Sequence, residues 1–197
     1  MNNDFVCEYK LKDGRTLRTY IDEDLGSPRD PDENEVFGKL VLFMRGNSSE
    51  LGDKHEYEDI EAFFAANPKK DGICKKVYGY IHSGTILRMA DENPFHDPWD
   101  SGFAGFFYVS KAEMREAYGR KHVTARIVKR AEDEMKYSLD TYNQWLAGEN
   151  YGFRMFDENG EEVDSCWGFY GSDPEENAIF ENAGIEKEDV EITTTAA

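Results

Sequence analysis

The chain is short of several things, and each shortage closes a possibility. Its three cysteines, Cys7, Cys74 and Cys166, are odd in number and widely spaced. That excludes a disulfide framework and a zinc-ligand pattern, so reduced and mostly buried thiols are expected. No apolar stretch approaches the roughly 20 residues that span a bilayer. Residues 1–4 offer neither the basic start nor the apolar run of a signal peptide, so a cytosolic location is expected. No glycine-rich nucleotide loop, metal-ligand spacing or nucleophile motif is present, so no cofactor is implied. The greatest shortage is of positive charge: 23 Lys and Arg face 41 Asp and Glu, a formal net charge of −18 over 197 residues.

A balance of this kind repels itself, so either the solvent demands it or a partner reads it. The acids are grouped. Asp22, Glu23, Asp24, Asp30, Asp32, Glu33 and Glu35 have only Arg29 among them, and Glu50, Asp53, Glu56, Glu58, Asp59 and Glu61 have only Lys54. Asp157, Glu158, Glu161, Glu162 and Asp164 have no base among them, and the tail is acidic again from Asp173 to Glu191 apart from Lys187. Between these lies a basic stretch, with Lys111, Arg115, Arg120, Lys121, Arg126, Lys129 and Arg130 against Glu113 and Glu116. The molecule is expected to be polarised. Adaptation to high salt would explain the acids too, but 13 of the 23 bases are Lys, which a salt-adapted surface should lack.

With 39% hydrophobic and 14% aromatic residues the chain can build a core. Asp13-Gly14 suits a tight hairpin turn between strands at 5–10 and 16–21. A loop over 22–35, a strand at 37–44, a break at 49–53 and a helix at 56–67 follow, the helix carrying Ile60, Phe63 and Phe64 on one face. Strands are expected at 73–82, 85–89 and 105–109. Ser110 can cap a helix over 111–118 with Glu113 completing a capping box, and Gly119 can end it. Apolar residues at helical spacing predict a longer helix from Thr124 to Ala147, stopped by Gly148. A second hairpin turns at Asn159-Gly160 between 151–156 and 162–170, and 174–183 reads as a short helix. The order predicts an α+β fold with a mostly antiparallel sheet. It also suggests an acidic β-rich region at 1–70, an α+β core at 71–185 and a flexible tail at 186–197.

Two segments stand out as signatures. One is Asn93-Pro94-Phe95-His96-Asp97-Pro98-Trp99-Asp100-Ser101-Gly102, which runs into Gly105-Phe106-Phe107-Tyr108-Val109-Ser110-Lys111. The other is Asp164-Ser165-Cys166-Trp167-Gly168-Phe169-Tyr170-Gly171. With Trp145-Leu146-Ala147-Gly148 and Tyr151-Gly152-Phe153, they make residues 78–171 resemble a family of small uncharacterised proteins carried by bacteriophages and plasmids. The resemblance implies a mobile-element setting inside a bacterial host cell and no particular activity.

Each signature has a structural reading. Asp97-Pro98-Trp99-Asp100 makes a rigid turn whose tryptophan plugs the core and whose carboxylates accept backbone N–H groups. The chemical alternative gathers His82, His96, Asp97 and Asp100 into a metal or acid–base cluster, the basis of an enzyme acting on a defence component. Ser165-Cys166 reads as part of a strand rather than as a nucleophile. Asp157-Glu158-Asn159-Gly160-Glu161-Glu162 lacks the full ligand set of a calcium loop and reads as a hairpin turn.

The acidic groups suggest a ligand made of protein. Duplex DNA carries about one negative charge per 1.7 Å of axis, and DNA-handling proteins meet it with basic grooves. Carboxylates on successive helix turns lie about 5 to 6 Å apart and on alternate strand residues about 6.5 to 7 Å, both near the spacing of phosphates. The expectation is a mobile-element inhibitor of a bacterial DNA-targeting defence system, CRISPR or restriction. It would be a monomer or homodimer that binds no nucleic acid itself, and its groups at 22–35, 50–61 and 157–164 would compete with DNA for the effector.

Overall fold

The computed structural model describes residues 5–44 and 50–196, so the readings made for residues 1–4 and for Ser49 lie outside the described residues. Along the chain run β1 (Cys7–Leu11), β2 (Thr16–Ile21), β3 (Lys39–Leu42), α1 (Ile60–Ala66), β4 (Gly72–Ile81), β5 (Thr85–Met89) and β6 (Ser101–Ser110). Then come α2 (Lys111–Ala117), α3 (Ala125–Leu146), β7 (Asn150–Phe156), β8 (Glu162–Tyr170), α4 (Ile179–Asn182) and β9 (Val190–Thr195). All strand pairings are antiparallel, in two sheets, and the fold is α+β. The chain forms two compact units, one from residues 1–25 with 147–197 and one from 26–146. They divide it at places other than 70 and 185, because the two ends of the chain share one sheet.

That end-built unit holds the five-stranded sheet β8-β7-β2-β1-β9. Its first hairpin closes at Asp13-Gly14, where Gly14 takes φ +88° and Asp13 accepts a bond from Arg15 N at 3.0 Å. Tyr9, Leu11, Leu17, Phe153, Met155 and Phe169 are buried in a core with Ile179, Phe180 and Ala183 of the short α4 segment. The tail is a correction to the flexible segment expected at 186–197. The β-branched run Ile192-Thr193-Thr194-Thr195 favours extended backbone, and β9 pairs with the open edge of β1 through Cys7 opposite Thr195.

The middle unit holds the four-stranded sheet β3-β6-β4-β5. Leu40, Leu42, Val77, Leu87, Phe107 and Val109 meet α2 and α3 through Met114, Ala131, Met135, Leu139 and Tyr142, so one face of the sheet carries the two helices. Strand alternation sends Val41, Phe106 and Tyr108 to the opposite face, where they pack on Phe63 of α1. The helix expected at 56–67 starts only at Ile60, because Asp59 caps it by accepting from Ala62 N at 2.7 Å. Ser110 caps α2 as expected, accepting from Glu113 N at 3.0 Å. The Glu113 carboxylate does not close a capping box; it accepts from Gly38 N at 2.6 Å instead.

Candidate partner-binding surface

The structure distributes the acidic groups over both units. Asp22, Glu23 and Asp24 lie in the end-built unit, with the β7–β8 hairpin that carries Asp157, Glu158, Glu161, Glu162 and Asp164. Asp30, Asp32, Glu33 and Glu35 lie in the middle unit with Glu50, Asp53, Glu56, Glu58, Asp59 and Glu61. The 22–35 group is therefore shared between two bodies.

Several of these carboxylates hold the fold. Asp53 grips Arg29, accepting from Nε at 2.6 Å and from Nη2 at 2.7 Å, and also accepts from Leu40 N at 2.8 Å. The Arg29 side chain is 1% exposed, so this pair is internal architecture. Asp59 is a helix cap, and Asp30 closes a turn by accepting from Asp32 N at 3.0 Å. Bonds from the backbone of Glu161, from the Asn159 side chain and from the backbone of Asn159 hold the Asp157 carboxyl below its ordinary value. Asp164 accepts from Ser165 N at 2.8 Å, and Glu162 lies 3.7 Å from Arg154. Glu23, Asp24, Asp32, Glu33, Glu35, Glu50, Glu56, Glu58, Glu61, Glu158 and Glu161 are exposed to solvent.

In the middle unit the acids meet an apolar surface. An open cavity of about 840 Å³ is lined by Leu42, Phe43, Met44 and Ile60 on its apolar side and by Glu50, Asp53, Glu58 and Asp59 on its acidic side, with Lys54. His55 lines it as well, its Nε2 3.0 Å from Leu42 O and its ring stacked on Tyr57 at 5.5 Å. A second groove of about 380 Å³ is lined by Ile81, Trp99 and Phe103, and Phe43 and Met44 belong to both. The acidic cavity and the aromatic groove thus share the strand end at Phe43 and Met44.

Trp99 is a correction. It does not plug the core but stands 92% exposed. Asp97 accepts from Trp99 N at 2.8 Å and from Asp100 N at 3.1 Å. These bonds close the turn without the indole and hold the Asp97 carboxyl below its ordinary value. Phe43, Met44 and Phe103 carry no motif; Phe43 and Met44 are partly buried against the two cores on either side of the sheet, and Phe103 is exposed.

Of the four residues proposed for chemistry, two meet: His82 Nδ1 lies 3.0 Å from Asp100 Oδ2, both side chains open to solvent. The carboxylate of Asp97 is engaged by its turn, and His96 is exposed. No group of three or more His, Cys, Asp or Glu is placed to hold a metal ion among the described residues. In the other signature Cys166 is half-buried and Ser165 exposed, while Trp167 lies across from Gly152. Burial pushes the Cys74 thiol up to about 11. No described helix is long and apolar enough to cross a membrane.

Fold and surface together define an antiparallel α+β protein whose middle unit carries a cavity lined by both acidic and apolar residues. No protein-family model matches the chain, and no curated protein or solved structure matches it.

Proposed function

We propose that the protein is a binding protein whose acidic, aromatic-centred face occupies the basic nucleic-acid channel of a partner, and that the partner is a DNA-targeting bacterial defence effector, of the CRISPR or restriction kind. One observation carries the reading: Phe43 and Met44 join the cavity rimmed by Glu50 and Glu58 to the groove that carries Trp99. Protein interfaces combine a desolvated apolar centre with a polar rim, and tryptophan is the residue most often energetically dominant at such centres. The rim charge selects a basic partner and speeds encounter. Within the middle unit the groups at 32–35 add to the negative charge, and Asp53 and Asp59 contribute charge while holding the fold; the groups at 22–24 and 157–164 offer the partner a second acidic surface on the end-built unit. The phage and plasmid resemblance supplies the defence setting.

A second reading rests on the His82–Asp100 pair, whose 3.0 Å contact is the geometry of an oriented imidazole. It makes the protein a small enzyme acting on a defence component, and alanine at His82 would then abolish activity in a folded protein.

The test is capture from bacterial lysate carrying defence systems, with elution by salt and by duplex DNA. The expected result is a DNA-binding effector that duplex DNA displaces, lost both from the triple variant Glu56→Lys, Glu58→Lys and Glu61→Lys and from Trp99→Ala. Charge reversal of Asp32, Glu33 and Glu35 together weakens capture further. A captured protein indifferent to DNA and to all these changes would sink the mimicry reading.

A further inference from the structure

The basic stretch has a structure of its own, with no lining residue in common with the acidic cavity. Between the end of α2 and the start of α3 lies a cavity of about 460 Å³ lined by Arg120, Lys121, His122, Arg126 and Arg130, with Tyr118 and Thr124 completing it. No carboxylate is among the lining residues. In a chain with almost two acids for every base, cations ought to find partners easily. Yet Arg120, Lys121, Arg126 and Arg130 stand in none of the ion pairs among the described residues, although neighbouring Lys129 is paired with Asp133.

Three further observations point the same way. The Tyr118 hydroxyl is buried and has no hydrogen-bond partner among the described residues. A buried hydroxyl left unpaired by the protein is costly and uncommon, so it is free to donate to a water or to a bound anion. Burial, then the Glu134 charge, push its pKa above the ordinary value, so it remains a donor at neutral pH. The Arg130 guanidinium rests on the Tyr118 ring at 4.8 Å, which holds one cation at the wall. The 22-residue α3 begins at the cavity, adding the positive end of its dipole.

We propose that this cavity binds a small oligophosphate, either an inorganic chain such as pyrophosphate or the phosphate tail of a nucleotide, through Arg120, Lys121, Arg126 and Arg130 with the Tyr118 hydroxyl as a neutral donor. Arginine matches phosphate oxygens with paired N–H bonds. The volume falls in the small-ligand range of roughly 300 to 1,000 Å³. Size also argues against a long polyanion: a duplex reaches past the cavity into the field of a molecule with net charge −18, whereas a small anion feels chiefly the charges within a screening length of about 8 Å.

Calorimetric titration of the full chain with pyrophosphate, tripolyphosphate and adenosine triphosphate, at about 150 mM salt, tests this. Saturable one-to-one binding is expected, weakened about tenfold or more by Arg120→Ala with Arg126→Ala and unchanged by Arg115→Ala, which lies outside the cavity. Tyr118→Phe leaves the fold intact and weakens binding, which separates ligand contact from folding. Tighter binding of the nucleotide than of tripolyphosphate identifies a nucleotide tail, and equal binding identifies the phosphate chain alone. Absence of saturable binding, binding indifferent to the paired arginine change, or binding of duplex DNA without binding of any oligophosphate overturns the proposal. None of these outcomes bears on the acidic face.

Discussion

Arg29 illustrates how much of the stability of the middle unit can rest on one side chain. Its guanidinium donates to both Asp53 oxygens, to Ser138 Oγ at 2.8 Å and to Gly38 O at 3.1 Å, and it lies 4.8 Å above the Phe107 ring. A buried pair contributes little relative to an apolar substitute, but removing one partner leaves the other charge stranded. Arg29→Ala is therefore expected to lower unfolding free energy by about 3 to 5 kcal/mol, measured by denaturant titration. Lysine cannot restore the forked contact. Asp157 gives the complementary case at the surface. Its carboxyl is held low by the Glu161 backbone first, then by Asn159, so the charged form is favoured in the folded state. That stabilisation is present above the unfolded value of 3.8 and disappears as pH falls through the lower folded value. Melting of Asp157→Ala against the parent should show a deficit at neutral pH that closes in acid; a deficit constant with pH would contradict this. Both roles were only half visible in the sequence. Asp157 precedes Asn159-Gly160 and reads directly as a turn residue, whereas Asp53 looked like one more acid in a run, since its partner lies 24 positions away.

At the scale of elements, the middle sheet shows how an exposed strand edge is covered. The outer edge of β3 is bonded by Asp53, whose N donates to Leu40 O at 2.8 Å, and by the His55 ring beside Leu42 O. The outer edge of β5 is bonded by one amide: Asn143 of α3 accepts from Leu87 N and donates to Leu87 O, each at 2.8 Å. Open edges invite pairing with other chains. Asn143→Ala strips both bonds at once and is expected to cost about 1 to 3 kcal/mol and to speed hydrogen exchange at the Leu87 amide. Exchange unchanged there would show that the edge needs no cover. The elements themselves were largely legible: both hairpins, α2 with its Ser110 cap and Gly119 stop, and α3 with its Gly148 stop follow from local turn and capping chemistry. What escaped was length and pairing. Strand β6 begins at Ser101, four residues before the expected start, because Ser101 to Phe103 continue its pairing with β4 across a bulge. The tail strand depends on an edge supplied by β1, about 180 residues earlier, and no local pattern reports a vacancy so distant.

The whole molecule carries its charge as an unsolved electrostatic problem, and that too is measurable. Among the described residues there are seven ion pairs of Lys or Arg with a carboxylate, against 41 acidic side chains in the chain. Most carboxylates therefore face like charges or water. Two effects of salt then oppose each other. Screening weakens the pairs, most of which are exposed and worth little individually, and it also weakens repulsion among the unpaired acids, which act over a screening length of about 10 Å at 0.1 M. With repulsive neighbours far outnumbering attractive ones, the second effect is the larger. The melting temperature should rise as sodium chloride is raised from low to moderate concentration, before any general effect of concentrated salt, and neutralising Glu56, Glu58 and Glu61 as glutamines should reduce that rise. A melting temperature that fell with salt would mean that the ion pairs dominate. The acids would then be part of the scaffold, with little left for a partner to neutralise. A rise means that the folded protein retains a repulsive strain that a basic partner would relieve on binding, which is the thermodynamic condition the proposed function requires.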